Sequence, residues 1–150
     1  MIQGYGQTET SLLTCLVVDR AKVAANAERL ISRLARLGVP LRLHVKTAKS
    51  LEVAELVLGP GRPPITVSTL KEAEQFFAHG VTDIFYAVGI APGKLDHVIA
   101  LRAKGCDLKV VVDNVEAAEA VAARNAGIPT LIEIDCDGHR AGVKPGAPLL

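Results

Sequence analysis

Aromatic residues are scarce in this 150-residue chain, at 3% of the total and with no tryptophan. Nearly half of the residues are apolar, and Ala, Val and Leu dominate; this texture argues against an aromatic-rich sandwich and for layered helices and strands. An excess of charge of one sign is also missing. The 17 basic and 16 acidic residues leave a formal net charge of +1, which gives no reason to expect nucleic acid or a membrane as partner. Cysteine is sparse and scattered. Cys15, Cys106 and Cys136 are odd in number, far apart and free of C-x-x-C spacing, so neither a disulfide framework nor a thiolate zinc site is indicated, and reduced cytoplasmic thiols are expected. Long apolar runs are absent as well. Leu12 to Val18 is too short to span a membrane and lacks the basic flank of a signal peptide, so it reads as a strand behind a flexible lead. G-x-G-x-x-G, G-x-x-x-x-G-K-[ST] and G-x-S-x-G do not occur, which removes the usual signs of nucleotide binding and serine hydrolysis.

What is present is an alternation. Asp19 stands as an N-cap, and Val23, Ala27, Leu30, Ile31, Leu34 and Leu37 recur at helical spacing until Gly38 and Pro40. The basic residues Arg20, Lys22, Arg29, Arg33 and Arg36 read as the solvated face of this helix. Strand-like runs follow at Leu41 to Val45, Ile65 to Val67, Asp83 to Val88, Lys109 to Val112 and Thr130 to Ile134. Helical segments at Leu51 to Leu58, Leu70 to His79, Lys94 to Lys104 and Val115 to Asn125 separate them. Strands joined by helices run parallel, because a tight hairpin cannot connect parallel neighbours. Thr69 with Glu72, and Asp113 with Glu116, have capping-box spacing and read as helix starts. Five parallel strands fit either a flavodoxin-like sheet or part of a (β/α) barrel, and pattern alone does not separate the two.

In both architectures functional side chains gather where strands end. Lys46, in Leu43-His44-Val45-Lys46-Thr47-Ala48-Lys49-Ser50, arrives as the first of these strands ends. Partial desolvation there favours the neutral amine that attacks an aldehyde. Lys49, in the following turn, is the weaker candidate. The segment Glu133 to Gly142 mixes carboxylates, His139 and Arg140 between glycines. Asp135, Asp137 and His139 resemble metal ligands in type, but no partner cluster completes a site and no metal is assigned. Arg140 is permanently charged and can hold a phenolate or carboxylate oxygen without giving up a proton. Tyr86 to Gly93 ends a strand in small residues, with Tyr86 as suited to the core as to a ligand. His79 and His97 fall on helical segments and are expected to face solvent.

Together these segments resemble the D-serine dehydratase-like and D-threonine aldolase-like proteins with an alanine-racemase-type N-terminal barrel. Leu16-Val17-Val18-Asp19 is similar to the opening strand, Leu41 to Thr47 to the lysine motif, and Ile132 to Asp135 with Gly138 to Val143 to the fifth-strand motif. The resemblance implies a fold-type III enzyme dependent on pyridoxal 5'-phosphate, with Lys46 as the Schiff-base lysine, Arg140 against the cofactor's phenolic oxygen, and His44 in the cofactor site. It implies a lyase or racemase acting on a D-amino acid or β-hydroxy amino acid, in a homodimer. A carrier of the cofactor without turnover and a flavodoxin-like interaction module are the alternatives. Ala48 departs from the histidine often found in such aldolases and dehydratases, and Glu133 from the lysine of bacterial alanine racemases, which raises the possibility that Glu133 orients Arg140. The expected domain organisation is a flexible lead at 1–12 and an incomplete cofactor-binding barrel at 13–150, without the later strands that grip phosphate and without the second, mostly β domain.

Overall fold

The computed structural model describes residues 18–139 and 141–146. Arg140, and the expected opening strand up to Val17, lie outside the described residues. The first helix, α1 (Arg20–Arg36), starts where Asp19 accepts the Lys22 N–H at 3.1 Å. After it come β1 (Leu43–His44), α2 (Leu51–Leu58), β2 (Ile65–Val67), α3 (Leu70–Ala78), β3 (Asp83–Gly89), α4 (Leu95–Ala103), β4 (Asp107–Val112), α5 (Val115–Ala123) and β5 (Thr130–Ile132).

All neighbouring strands are parallel, and their order across the sheet is β1-β2-β3-β4-β5. This order decides between the two architectures. A flavodoxin-like sheet reverses direction after its first strands and so covers both faces with helices. A strictly sequential order, with right-handed crossovers, puts every helix on one face and curls the sheet toward a barrel. The core obeys that geometry. Alternate strand residues Ile65, Val67, Ile84, Tyr86, Leu108, Val110 and Val112 are buried in one cluster with Leu70, Phe76, Leu95, Val98 and Leu101 of the helices. The residues between them belong to the opposite, inner face. There the register aligns His44, Thr66, Phe85 and Lys109 in one row across four strands. The protein is therefore an α/β chain with part of a (β/α) barrel.

Two helix starts differ in detail from the sequence pattern. Thr69 does cap α3, accepting the Glu72 N–H at 3.0 Å, but the Glu72 carboxylate takes the Ser68 N–H at 2.8 Å rather than that of Thr69. At α5 the cap is Asn114, which accepts the Ala117 N–H at 2.8 Å. Asp113 is thereby released from capping, and its carboxylate lies against Gly89, where an added Cβ would approach it to 2.9 Å. The first strand is also shorter than expected. Val45 leaves it for a 3₁₀ turn, Val45–Thr47, so Lys46 sits on a turn and not at a strand terminus.

Tyr86 is fully buried, with its hydroxyl accepting from Lys94 at 3.0 Å, and is a core residue. His97 is not simply solvated, because its Nε2 lies 2.8 Å from Glu74 on the neighbouring helix. At the periphery the cover thins. In α1 only Ala27 is buried, while Leu30 and Ile31, and Leu37 just beyond the helix, are exposed, as are Leu131 and Ile132 of β5.

Candidate active site at the strand ends

Beyond His44 the chain must leave the sheet and reach the Ser50 cap of α2. It does so through the 3₁₀ turn, closed by the Lys49 N–H donating to the Val45 carbonyl at 2.9 Å. Lys49 itself has φ +49, the left-handed conformation that an L side chain adopts at a cost. Lys46 occupies the middle of this turn. Its backbone N–H donates to His44 Nδ1 at 3.3 Å. The side chain is exposed, not partly desolvated as the sequence suggested, because the shortened strand lifts it to the rim. Among the described residues no carboxylate lies within ion-pairing distance of it.

His44 is half-buried beside it. Burial, reinforced by the positive charge of Lys46, lowers the pKa of its ring; Glu72 and a Thr66 backbone bond oppose the shift without reversing it. His44 is therefore neutral near pH 7, so its unprotonated Nδ1 can accept the Lys46 N–H.

Lys49 is placed differently. Its Nζ lies 3.2 Å from Glu72 Oε1, and the Glu72 side chain is only 4% exposed. Burial alone would push the Glu72 carboxyl up, but the Ser68 N–H, Lys49 and the Ser68 hydroxyl outweigh it and hold its pKa below the ordinary value. Sequence spacing had identified Glu72 only as a capping residue. The missed signal was its place on the first turn of α3, directly after β2, beside the strand that carries the lysines.

The fifth strand-end segment is built as a loop. Asp135 is buried, and its Oδ1 accepts the Gly138 N–H at 2.8 Å, which employs it in a turn. Backbone bonds from Asp135 N–H to the Val143 carbonyl and from Val143 N–H to the Glu133 carbonyl, both 2.9 Å, close the loop. Gly142 makes this approach possible: at φ +121, a Cβ there would stand 2.7 Å from Asp135 N. Arg140 belongs to this loop by sequence but falls outside the described residues, so its relation to Glu133 has no structural account. Among the described residues, no group of three His, Cys, Asp or Glu side chains is placed to hold a metal ion, and no helix is long and apolar enough to cross a membrane.

The opposite ends of the strands carry a second cluster. Arg42 donates to both Asp83 oxygens, at 2.9 and 3.0 Å, and Lys109 bridges Asp83 and Asp107 at 2.7 and 2.6 Å. Arg42 is the first cause holding Asp83 below the usual carboxylate range.

Comparison with known proteins agrees with this geometry. The family described as alanine racemase, N-terminal domain, matches residues 18–150. D-threo-3-hydroxyaspartate dehydratase of Delftia sp. (strain HT23) is 51% identical over 131 residues, covering 85% of this chain and 34% of its own length. D-threonine aldolase of Arthrobacter sp. is 31% identical, covering 90% of this chain and 37% of its own. The solved structure of an Ala racemase-like protein from Idiomarina loihiensis superposes with a TM-score of 0.80 at 45% identity, covering 85% of this chain and 35% of that one. The chain thus spans about a third of the length of the curated relatives it matches. The turn that carries Lys46, the one-sided helices and the sequential parallel sheet are those of a chain that belongs to the alanine racemase N-terminal domain family.

Proposed function

We propose that this chain forms the cofactor-attaching part of a lyase dependent on pyridoxal 5'-phosphate. Its substrate would be a D-amino acid bearing a β-hydroxyl group, with water elimination preferred over racemisation because its 51%-identical relative is a dehydratase. The observation that carries the reading is Lys46: an exposed primary amine on a fixed turn at the carboxyl end of β1, with no carboxylate partner among the described residues. The donor set fits the aldehyde end of such a cofactor, since a free amine is what condenses with an aldehyde. When bound, the cofactor supplies an electron sink for charge developing at the substrate α-carbon. Lys46 would hold it and move the proton at that carbon. His44, neutral and already accepting the Lys46 N–H, would fix the turn, and Arg140 would face the ring oxygen. A guanidinium in that place keeps the oxygen anionic.

The same reading takes residues 13–150 as one part of the barrel domain, assembled in a homodimer. Exposed Leu131, Ile132 and Ile134 near the β5 edge support further pairing or association. The free thiols Cys106 and Cys136 are compatible with a reducing cytoplasm.

The test uses the protein in its full-length reading frame. Incubation with pyridoxal phosphate, borohydride reduction and peptide mapping should place the label at position 46, and Lys46→Ala should remove it. An unlabelled position 46 in a folded protein overturns the proposal. Turnover of D-threo-3-hydroxyaspartate, D-serine or D-threonine then separates an enzyme from a cofactor carrier.

A further inference from the structure

Two lysines stand three residues apart on the same turn, and both are exposed. An amine that attacks an aldehyde needs a free lone pair, and in that respect Lys46 and Lys49 are chemically alike. What separates them is a carboxylate on another element. We propose that Glu72 is a positioning residue that selects Lys46: it occupies the Lys49 amine and pins the turn from which Lys46 projects. The selection concerns cofactor attachment and so rests on the function proposed above.

The Glu72 carboxylate is not accounted for by helix capping. Thr69 already satisfies the Glu72 N–H, and the carboxylate bypasses the Thr69 N–H. It collects instead the Ser68 N–H at 2.8 Å, the Ser68 hydroxyl at 3.2 Å and Lys49 Nζ at 3.2 Å. One buried carboxylate thereby ties the β2–α3 junction to the turn after β1. Lys49 must leave this pair before its nitrogen can react, and its departure strands a buried charge on two serine donors, which is costly. Lys49 also has a left-handed backbone, a conformation that persists only when the surroundings hold it. The Lys49 N–H bond to Val45 then closes the turn around Lys46. Lys46 has no such competitor for its amine among the described residues.

The selection can be read without the cofactor. A brief pulse of limiting acetic anhydride acetylates free amines: nitrogen bonds to the acetyl carbon, acetate leaves, and the proton goes to solvent. In the full-length protein, peptide mass analysis should find Lys46 acetylated faster than Lys49 by up to about fivefold, the upper end of the range for a partly exposed ion pair. Glu72→Gln should bring the two rates together. In the wild-type protein, raising salt to about 1 M, where the Debye length is about 3 Å, should narrow the ratio without any substitution. This arm serves if the variant does not fold.

With pyridoxal phosphate and borohydride, the label in Glu72→Gln should appear at both positions, and the Lys46→Ala/Glu72→Gln double variant should carry a few-fold more of it at position 49 than Lys46→Ala alone. Equal acetylation of the two lysines in the wild type overturns the selection, as does a ratio unmoved both by salt and by Glu72→Gln in a protein with native circular dichroism. A wild type that keeps the acetylation preference but takes up no pyridoxal phosphate supports the occupation of Lys49 and overturns the cofactor reading.

Discussion

The two ends of this sheet treat charge in opposite ways. At the amino ends of the strands, Arg42, Asp83, Lys109 and Asp107 are mutually paired within 3.0 Å and half-buried, apart from the more exposed Asp107. At the carboxyl ends, His44 is held neutral, Lys46 has no carboxylate partner among the described residues, and Asp113 bonds to a neighbouring amide. Paired charges add rigidity at one end of a barrel, whereas free amines and carboxylates are what chemistry requires at the other. The sheet thus keeps its paired charges and its exposed lysines toward opposite ends of its strands. Glu72 is the exception that proves useful, a paired charge at the reactive end that keeps one amine out of use.

The strongest way to break this division is Lys46→Ala, which should abolish covalent cofactor retention while leaving the thermal midpoint unchanged, because the side chain is exposed; loss of fold on calorimetry would mean that the rim also carries stability. Asp83→Asn tests the other end. It replaces the carboxylate shared by Arg42 and Lys109 with a neutral amide that keeps one acceptor oxygen, and should cost about 1.5–3 kcal/mol, the range for hydrogen bonds to charged groups, with cofactor capture intact. The acid limb supplies the sign: the Asp83 carboxyl has a lowered folded pKa, so its contribution is complete above its unfolded value of about 3.9 and is lost as pH falls through the lower folded one. Denaturation midpoints measured against pH should show this loss in the wild type and not in Asp83→Asn.

Gly142→Ala addresses the fifth strand-end loop. A Cβ 2.7 Å from Asp135 N, at positive φ, should destabilise the loop by about 1–3 kcal/mol. Faster hydrogen exchange at the Val143 and Asp135 amides would report it. The smallest effect belongs to His44. Because its folded pKa is lowered, its stabilising contribution is present above about 6.5 and lost as pH falls through the folded value. An NMR titration placing the His44 ring above 6.5 would remove the neutral histidine from the rim.

Element types and most boundaries were legible in the sequence, since hydrophobic period, caps and glycine stops are local signals: α2 and β2 fall at the expected residues, and Asp19 caps α1 as its position implied. Lys46 too was singled out from its place after a strand and from the resemblance of its motif. What local pattern could not decide was the order of strands in the sheet, because the same alternation serves a flavodoxin-like sheet and a barrel. The replacement of Asp113 by Asn114 as cap was equally hidden, as it depends on Gly89 making room for the Asp113 carboxylate across the sheet. Most of all, the sequence by itself determined that two lysines would follow β1, whereas only the tertiary structure decided that one is paired with a carboxylate and that the other has no such partner among the described residues. The physical reason is distance: Glu72 lies 23 residues beyond Lys49 in the chain, and parallel pairing of β1 with β2 brings its carboxylate to 3.2 Å from that amine.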